Sequence, residues 1–441
     1  MRMTKTMTTM PPMAGHDHPL PASPLLGHAG IGGRIKVRPE DFIVEEIPLY
    51  EPCGDGEHLY LRIRKSGVSH GEMIARIRTL FSVPERAIGY AGMKDKHAIT
   101  TQVISVHTPH DPVSPDTGHD RIQITDVSRH RNKLKRGHLA GNLFAVRIRG
   151  VDPLRAPAAL RIMKDLERTG VPATFGAQRF GYRLNNHRLG ALFIMRRWHD
   201  LLAELLGPDG TPWAEHQRPQ RLAYADGDHH TAAQLWTPAD RAELIAARAL
   251  ARGESEESAV RRIGIATLRF WVTALSSAAF NRILAERFEA GTARTLLEGD
   301  LAWKHLNRVT FPVDALALED PDTARRLAAM EIAPSGPVWG KDMPCARGAV
   351  LERERAAIDH FGIDPDAMLT CRHVAGSRRP LVSPVIEPDV EGGFDEHGPF
   401  ILVRFRLARG MFATVVLSEL TGDPQTLTDS SARTAPYDHQ R

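Results

Sequence analysis

Strand-type alternation occurs in two widely separated blocks of this chain, and what lies between them limits the folds available. In the first block Ile35 and Val37 alternate with Lys36 and Arg38, and Leu59, Leu61 and Ile63 with Tyr60, Arg62 and Arg64. Residues 101–106, 122–127 and 143–148 carry further strand signals. In the second block Ile401, Val403, Phe405 and Leu407 face one way and Arg404 and Arg406 the other. Two helices belong to the first block. Ser69 and Glu72 have capping-box spacing ahead of the stripe Met73, Ile74, Ile77, Leu80 and Phe81, and Pro84 marks the end. Ala159, Ile162, Met163 and Leu166 trace the other, stopped by Gly170 and Pro172. Beyond residue 170 a Pro/Gly-rich stretch at 207–220 leads into Ala/Arg-rich helices at 238–252 and 265–288, the latter with a stripe of Leu268, Val272, Leu275, Ala279 and Ile283. This order predicts an α+β fold in which an antiparallel sheet is interrupted by a mostly helical insert. There is no internal repeat.

A chain of 441 residues is long enough for two or three domains. Hydrophobic residues at 42% and charged residues at 25% fit a globular protein, and no apolar run reaches the length of a bilayer span. Residues 1–29 lack the apolar segment of a secretory signal and are expected to form a disordered tail of a cytoplasmic protein. A second polar tail is expected at 426–441. Cys53, Cys345 and Cys371 are far apart and in no C-x-x-C pair, which predicts free thiols. Asp226-Gly227-Asp228-His229-His230 has metal-ligand residue types without regular ligand spacing, and no G-x-x-x-x-G-K-[ST] loop is present. No metal or cofactor is therefore expected.

The stretch Tyr90 to Gln102 sets Asp95 between Lys94 and Lys96, directly after Gly92-Met93. Neighbouring cations favour an ionised carboxylate, which can serve as a covalent nucleophile if it is held in place. The alternative is a solvated charged turn, and strand alternation would send Asp95 and the two lysines to opposite faces. Lysine is scarce, ten against 47 arginines, and four of the ten are Lys94, Lys96, Lys133 and Lys135. The second pair lies in a basic run, Arg129, Arg131, Lys133, Lys135 and Arg136, and no acidic residue occurs from Ser128 to Arg149. With a pI near 9.0, such a run is a candidate for binding nucleic-acid phosphates, or else a solvated face.

Read together, Phe42-Ile43-Val44-Glu45-Glu46, Gly92-Met93-Lys94-Asp95-Lys96 and Gly141-Asn142-Leu143-Phe144 resemble the TruD family of tRNA pseudouridine synthases. Later segments agree in order: Gly170-Val171-Pro172 with Phe175-Gly176-Ala177-Gln178-Arg179-Phe180-Gly181, Ser277 through Phe280-Asn281, and Gly410-Met411-Phe412-Ala413-Thr414. The similarity covers about residues 32–421. Two departures stand out. Ser418 occupies the place where the family usually has an arginine before Glu419, and Ala278-Ala279 replaces a bulkier pair before Phe280.

The resemblance implies a discontinuous pseudouridine-synthase-type catalytic domain with a curved antiparallel sheet, residues 30–169 and 375–425, and an inserted, mostly helical domain at 170–374. By the same resemblance Asp95 matches the catalytic aspartate. Phe42, Asn142 and Phe412 match substrate-binding positions, the rings suited to stacking on an extruded base and the amide to orienting carboxylate or sugar. Core packing is the alternative for both phenylalanines, and a strand-end turn for Asn142. Lys36 and Glu46 match family positions beside the site, with Lys94 and Lys96 also expected at the substrate. The implied partner is tRNA, with a uridine at position 13 as target, no cofactor, no membrane, no obligate protein partner and a monomeric enzyme. An inactive RNA-binding protein or chaperone of the same fold, and an RNA N-glycosidase, are the alternatives.

Overall fold

The protein is described here by a computed structural model covering residues 18–21, 25–108 and 117–423. Its first block forms β1 (Phe42–Pro48), β2 (His58–Ser66), β3 (Ile88–Tyr90), β4 (Ile99–His107), β5 (Ile122–His130) and β6 (Leu139–Arg149), with helices α1 (His70–Phe81) and α2 (Ala156–Thr169). The late hairpin of Val385–Asp395 and Gly398–Ala408 completes an eight-stranded sheet. Its order runs Val385–Asp395, Gly398–Ala408, β6, β1, β4, β2, β5, with β3 on β4. The sheet is mixed: β1 and β4 pair in parallel, Ile43 opposite Ile99, and the other pairs are antiparallel. The expected antiparallel sheet thus carries one parallel junction, where β4 returns beside β1 after β2, α1 and β3.

Each helix covers half of the sheet. Ser69 caps α1 by accepting from the Glu72 amide at 3.1 Å, and Met73, Ile74 and Ile77 pack on Leu59, Leu61, Ile63, Ile104 and Val106. Ala159, Ile162, Met163 and Leu166 of α2 pack with Phe144, Val146 and Ile148 of β6, with Val403 and Phe405, and with the closing helix Ala413–Thr421. The two parts of the discontinuous sheet meet where Asn142 opposes Leu407 and Phe144 opposes Phe405, and the Phe144 and Phe405 rings stack at 5.4 Å between centroids. Buried Arg149 fastens the far end, donating to Asp41 at 2.6 Å and to Asp395 at 2.6 Å.

The intervening residues form helices, among them Asn186–Ile194, Arg241–Ala251 and the 25-residue helix Ile265–Glu289. They also form a four-stranded sheet of Leu301–Lys304, Thr310–Pro312, Ile332–Val338 and Ser377–Pro380. Ser377–Pro380 belongs to that sheet and Val382–Ser383 pairs with Val171–Pro172, and the chain rejoins the main sheet at Val385. Asn281 clasps the backbone of Phe175 from both sides, its Oδ1 accepting from the amide at 2.8 Å and its Nδ2 donating to the carbonyl at 2.9 Å.

Two further expectations are corrected. Residues 35–38 form no strand, only an isolated bridge from Arg34 to Arg149, because Lys36 adopts a left-handed backbone with φ 53°. Part of the predicted 1–29 tail is docked: Leu20 is buried, Asn281 donates to the Pro19 carbonyl at 2.7 Å, and Glu419 accepts from the amides of Leu25 at 2.8 Å and Leu26 at 3.1 Å. Glu419 thus has backbone partners where an arginine is missing, and burial pushes its carboxyl up to about 6. Ser418 turns into its own helix, donating to Val415 O. Residues 1–17 and 426–441 lie outside the described residues.

The helix Asn186–Ile194 crosses Ile265–Glu289 at Gly190, where an added Cβ would lie 2.2 Å from the Trp271 carbonyl oxygen. The obstacle is backbone, with the Val272 amide nitrogen also at 3.0 Å, so it cannot swing aside. Gly190→Ala should therefore cost at least about 2 kcal/mol of unfolding free energy, measured by urea denaturation. A loss under about 0.5 kcal/mol would mean the two helices part freely.

Candidate active site

Asp95 lies in the loop joining β3 to β4, not in a strand. The alternation argument consequently does not apply, and the loop sends its three charges to three places. Asp95 Oδ2 receives the Lys36 ammonium at 3.0 Å, with the lysine side chain 4% exposed and the aspartate side chain 38%. Lys94 turns inward, its Nζ 2.7 Å from Glu46 Oε2, both side chains buried. The second Glu46 oxygen accepts from the Val103 amide at 3.3 Å. Lys96 is exposed. The lysines on either side of Asp95 therefore do not share its carboxylate; its counter-ion comes from Lys36.

The left-handed turn at Lys36 carries its ammonium back over Phe42, 4.6 Å from the ring centroid. Phe42 itself is only 2% exposed and meets Phe144 edge-on at 6.3 Å. In this arrangement Phe42 supports the Lys36–Asp95 pair from within the core, and the expected open stacking face is occupied by a cation. Phe412 is partly buried at the N-cap of the closing helix. Asn142 stands on β6 between Glu46 of β1 and Leu407, and its Oδ1 is buried without a hydrogen-bond partner, an acceptor available to a bound group.

Lys65 is the residue that sequence reasoning missed. It ends the buried face of β2, two positions after Ile63, and at 1% exposure its ammonium donates to three main-chain carbonyls: Asp95 at 2.7 Å, Val68 at 2.8 Å and Lys94 at 3.4 Å. Gln102 adds a donor to Gly92 O at 3.4 Å. Burial drives Lys65 down to about 8, partly offset by the nearby Asp95 and reinforced by Lys94. His70, edge-on to Tyr90 at 4.5 Å, is likewise pushed down to about 4, chiefly by burial and then by Lys65 and Lys94. The loop backbone is thus fixed from below while the Asp95 carboxylate faces outward. An ionised carboxylate with part of its surface toward solvent can attack an electrophilic carbon.

The basic run occupies the end of β5 and its connection to β6, and much of it is engaged internally. Arg129 donates to Gly56 O at 3.0 Å and Thr108 O at 3.2 Å, Arg131 pairs with Asp55 at 2.8 Å, and Lys133 donates to Arg86 O at 2.6 Å. Arg136 lies over the Tyr90 ring and donates to its hydroxyl at 3.0 Å. Lys135 is exposed. Among the described residues no cluster of three or more His, Cys, Asp or Glu could hold a metal ion; Asp228 instead caps a helix through the Thr231 amide at 3.0 Å. Cys53, Cys345 and Cys371 are free thiols, and no single described helix is long and apolar enough to cross a membrane.

Comparison with known proteins bears on the same residues. Residues 25–420 match the family model described as tRNA pseudouridine synthase D (TruD). The tRNA pseudouridine synthase D of Syntrophotalea carbinolica is 37% identical over 393 residues, covering 89% of this chain and 96% of the relative. That of Thermus thermophilus is 32% identical over 410 residues, covering 93% and 94%. The crystal structure of the Methanosarcina mazei protein assigned as TruD superposes with a TM-score of 0.75 at 24% identity, covering 92% of this chain and 97% of that one, and so shares the fold. By family match, relatives and fold together, this chain belongs to the TruD family of tRNA pseudouridine synthases.

Proposed function

We propose that this chain isomerises uridine to pseudouridine in tRNA, with Asp95 as the covalent nucleophile and Lys36 as its counter-ion. The observation that carries the reading is the Asp95 carboxylate itself: partly exposed, paired at 3.0 Å with a buried ammonium, on a loop whose carbonyls Lys65 holds. Attack by this oxygen, at the sugar carbon or on the uracil ring, leads to cleavage of the bond between N1 and C1′. The electron pair of that bond stays with the uracil. The base then turns, its C5 forms the new bond to C1′, the aspartate oxygen is released, and the C5 proton leaves to solvent. No step calls for a metal or a redox cofactor.

The unpartnered Oδ1 of Asn142 is assigned to orient the sugar or base, and Phe412, partly buried at the N-cap of the closing helix, to stack on the extruded uracil. Phe42 and the Glu46–Lys94 pair act through the loop as supports. The target assigned is the uridine at position 13, reached by one chain in the cytoplasm, where tRNA resides. Lys96 and the outward-facing members of the basic run, Lys135 and Arg136 above all, meet the phosphates.

Three measurements check this reading. Asp95→Asn keeps the shape and removes the charge, so tritium release from uridine labelled at carbon 5 should stop. Asp95→Glu should lose at least about a hundredfold, as misplacement near 1 Å does. RNA affinity should hold in both; near-normal turnover by Asp95→Asn would remove Asp95 from the chemistry. For the basic run, Lys135→Ala with Arg136→Ala should flatten the log–log salt dependence of tRNA binding by up to about two units without changing which uridine is modified. An unchanged slope would leave the run a solvated face.

The last concerns pH. Above about 8 Lys65 loses a proton and can serve only two of its three carbonyls, so kcat should fall with a midpoint near 8, while Lys65→Met should be slow and lack that limb. Stability moves the other way. The unfolded chain keeps the proton up to the ordinary 10.5, so between about 8 and 10.5 this group makes unfolding less favourable as pH rises. An alkaline loss of kcat that tracks unfolding, not Lys65, would count against the assignment.

A further inference from the structure

Where the inserted domain meets the main sheet, arginines gather without carboxylates. Arg379, on the strand Ser377–Pro380, donates to Ala173 O at 2.7 Å and Gly410 O at 3.0 Å, and its guanidinium lies 4.4 Å from the centroid of Phe175. Arg308 reaches the same place from the hairpin between Leu301–Lys304 and Thr310–Pro312. A Cβ added at Gly410 would lie 3.8 Å from Arg379 Nη1 and 3.9 Å from Arg308 Nη2. Arg409 precedes that glycine and donates to Gly137 O. Among the described residues no carboxylate pairs with Arg308, Arg379 or Arg409, whereas buried Arg149, Arg287 and Arg378 each bind at least one.

Crowding like charges without a counter-ion is unfavourable, and it lowers the proton affinity of Arg379 through burial and then through Arg179 and Arg308. A multivalent anion would relieve it, and a phosphate matches the fork of a guanidinium. Gly410, at which Arg308 and Arg379 converge, and Arg409 come just before Met411-Phe412 in the chain, so an anion held there lies close along the chain to the residue assigned to the extruded base. We propose that Arg308, Arg379 and Arg409 form a binding site for an RNA phosphodiester flanking the target uridine, closed from one side by the insert and from the other by the main sheet. This rests on the tRNA-modifying reading above. It adds to it a specific phosphate contact that the basic run after β5 does not supply.

Arg308 is the informative position, because it is exposed and its guanidinium lies over the ring of Trp303, whereas Arg379 holds backbone carbonyls and its loss would loosen the seam. The experiment compares full-length wild type, Arg308→Gln and Arg308→Lys for binding of a tRNA transcript between about 50 and 200 mM salt, with tritium release at saturating tRNA and a melting curve for each. Arg308→Gln should bind about tenfold more weakly, with a log–log slope shallower by about 0.7 to 0.9. Arg308→Lys should recover most of the slope. Wild-type affinity and slope in Arg308→Gln would overturn the site, as would weaker binding with an unchanged slope or a matching loss of melting temperature. If wild type binds tRNA but releases no tritium, the isomerase reading fails, and the binding arms still decide the phosphate site.

Discussion

Lys36, Lys65 and Lys94 bring three ammonium groups into the interior around one loop, and removing so much like charge from water is costly unless each is compensated where it stands. Each is compensated differently. Lys94 has the carboxylate of Glu46, Lys36 has that of Asp95, and Lys65 has only carbonyl oxygens. The division ties the loop at three points, through the ion pairs of Lys36 and Lys94 and through the carbonyls held by Lys65. It also leaves Asp95 as the one carboxylate of the set with a face toward solvent. Reactivity and local rigidity therefore have a common origin in how these charges are shared.

The main sheet serves that arrangement by bringing distant segments to one line. Glu46 of β1 lies opposite Asn142 of β6, and Asn142 opposite Leu407 of the late hairpin, so three strands from remote parts of the sequence stand side by side at the site. The parallel pairing of β1 with β4 places the loop ahead of β4 at the beginning of β1, where Lys36 arrives through its left-handed turn. A purely antiparallel arrangement would put the opposite end of β4 there.

Much of this is legible in the residues. Clean alternation marks β2, β6 and the late hairpin, and the Ser69 cap marks α1. The Lys-Asp-Lys motif identifies the loop, though not which cation meets Asp95, because that depends on the path of residues 34–41. The small sheet of the insert is hidden because its central strand, Ile332–Val338, contains Pro334, Gly336 and Pro337, residues that suppress a strand signal. The docking of Pro19, Leu25 and Leu26 is hidden because their partners, Asn281 and Glu419, are remote in sequence. Lys65 could have been found: it falls on the apolar face of β2 in step with Leu59, Leu61 and Ile63, where a lysine demands an explanation. The arginine cluster could not, since its members come from separate segments of a chain rich in arginine.

The pairing of β6 with Gly398–Ala408 has a consequence during synthesis. Gly398 follows Arg149 by 249 residues, and at about 5 to 20 residues per second a ribosome takes on the order of tens of seconds to bridge that interval. Throughout it, β6 is complete but its outer row of amides and carbonyls has no strand to receive it, and such a row is a template for pairing with other chains. The nascent protein must hold this border apart while the whole insert emerges and folds. Arg147 and Arg149, charged residues at the end of the waiting strand, are the kind of side chain that discourages a foreign strand from settling there first.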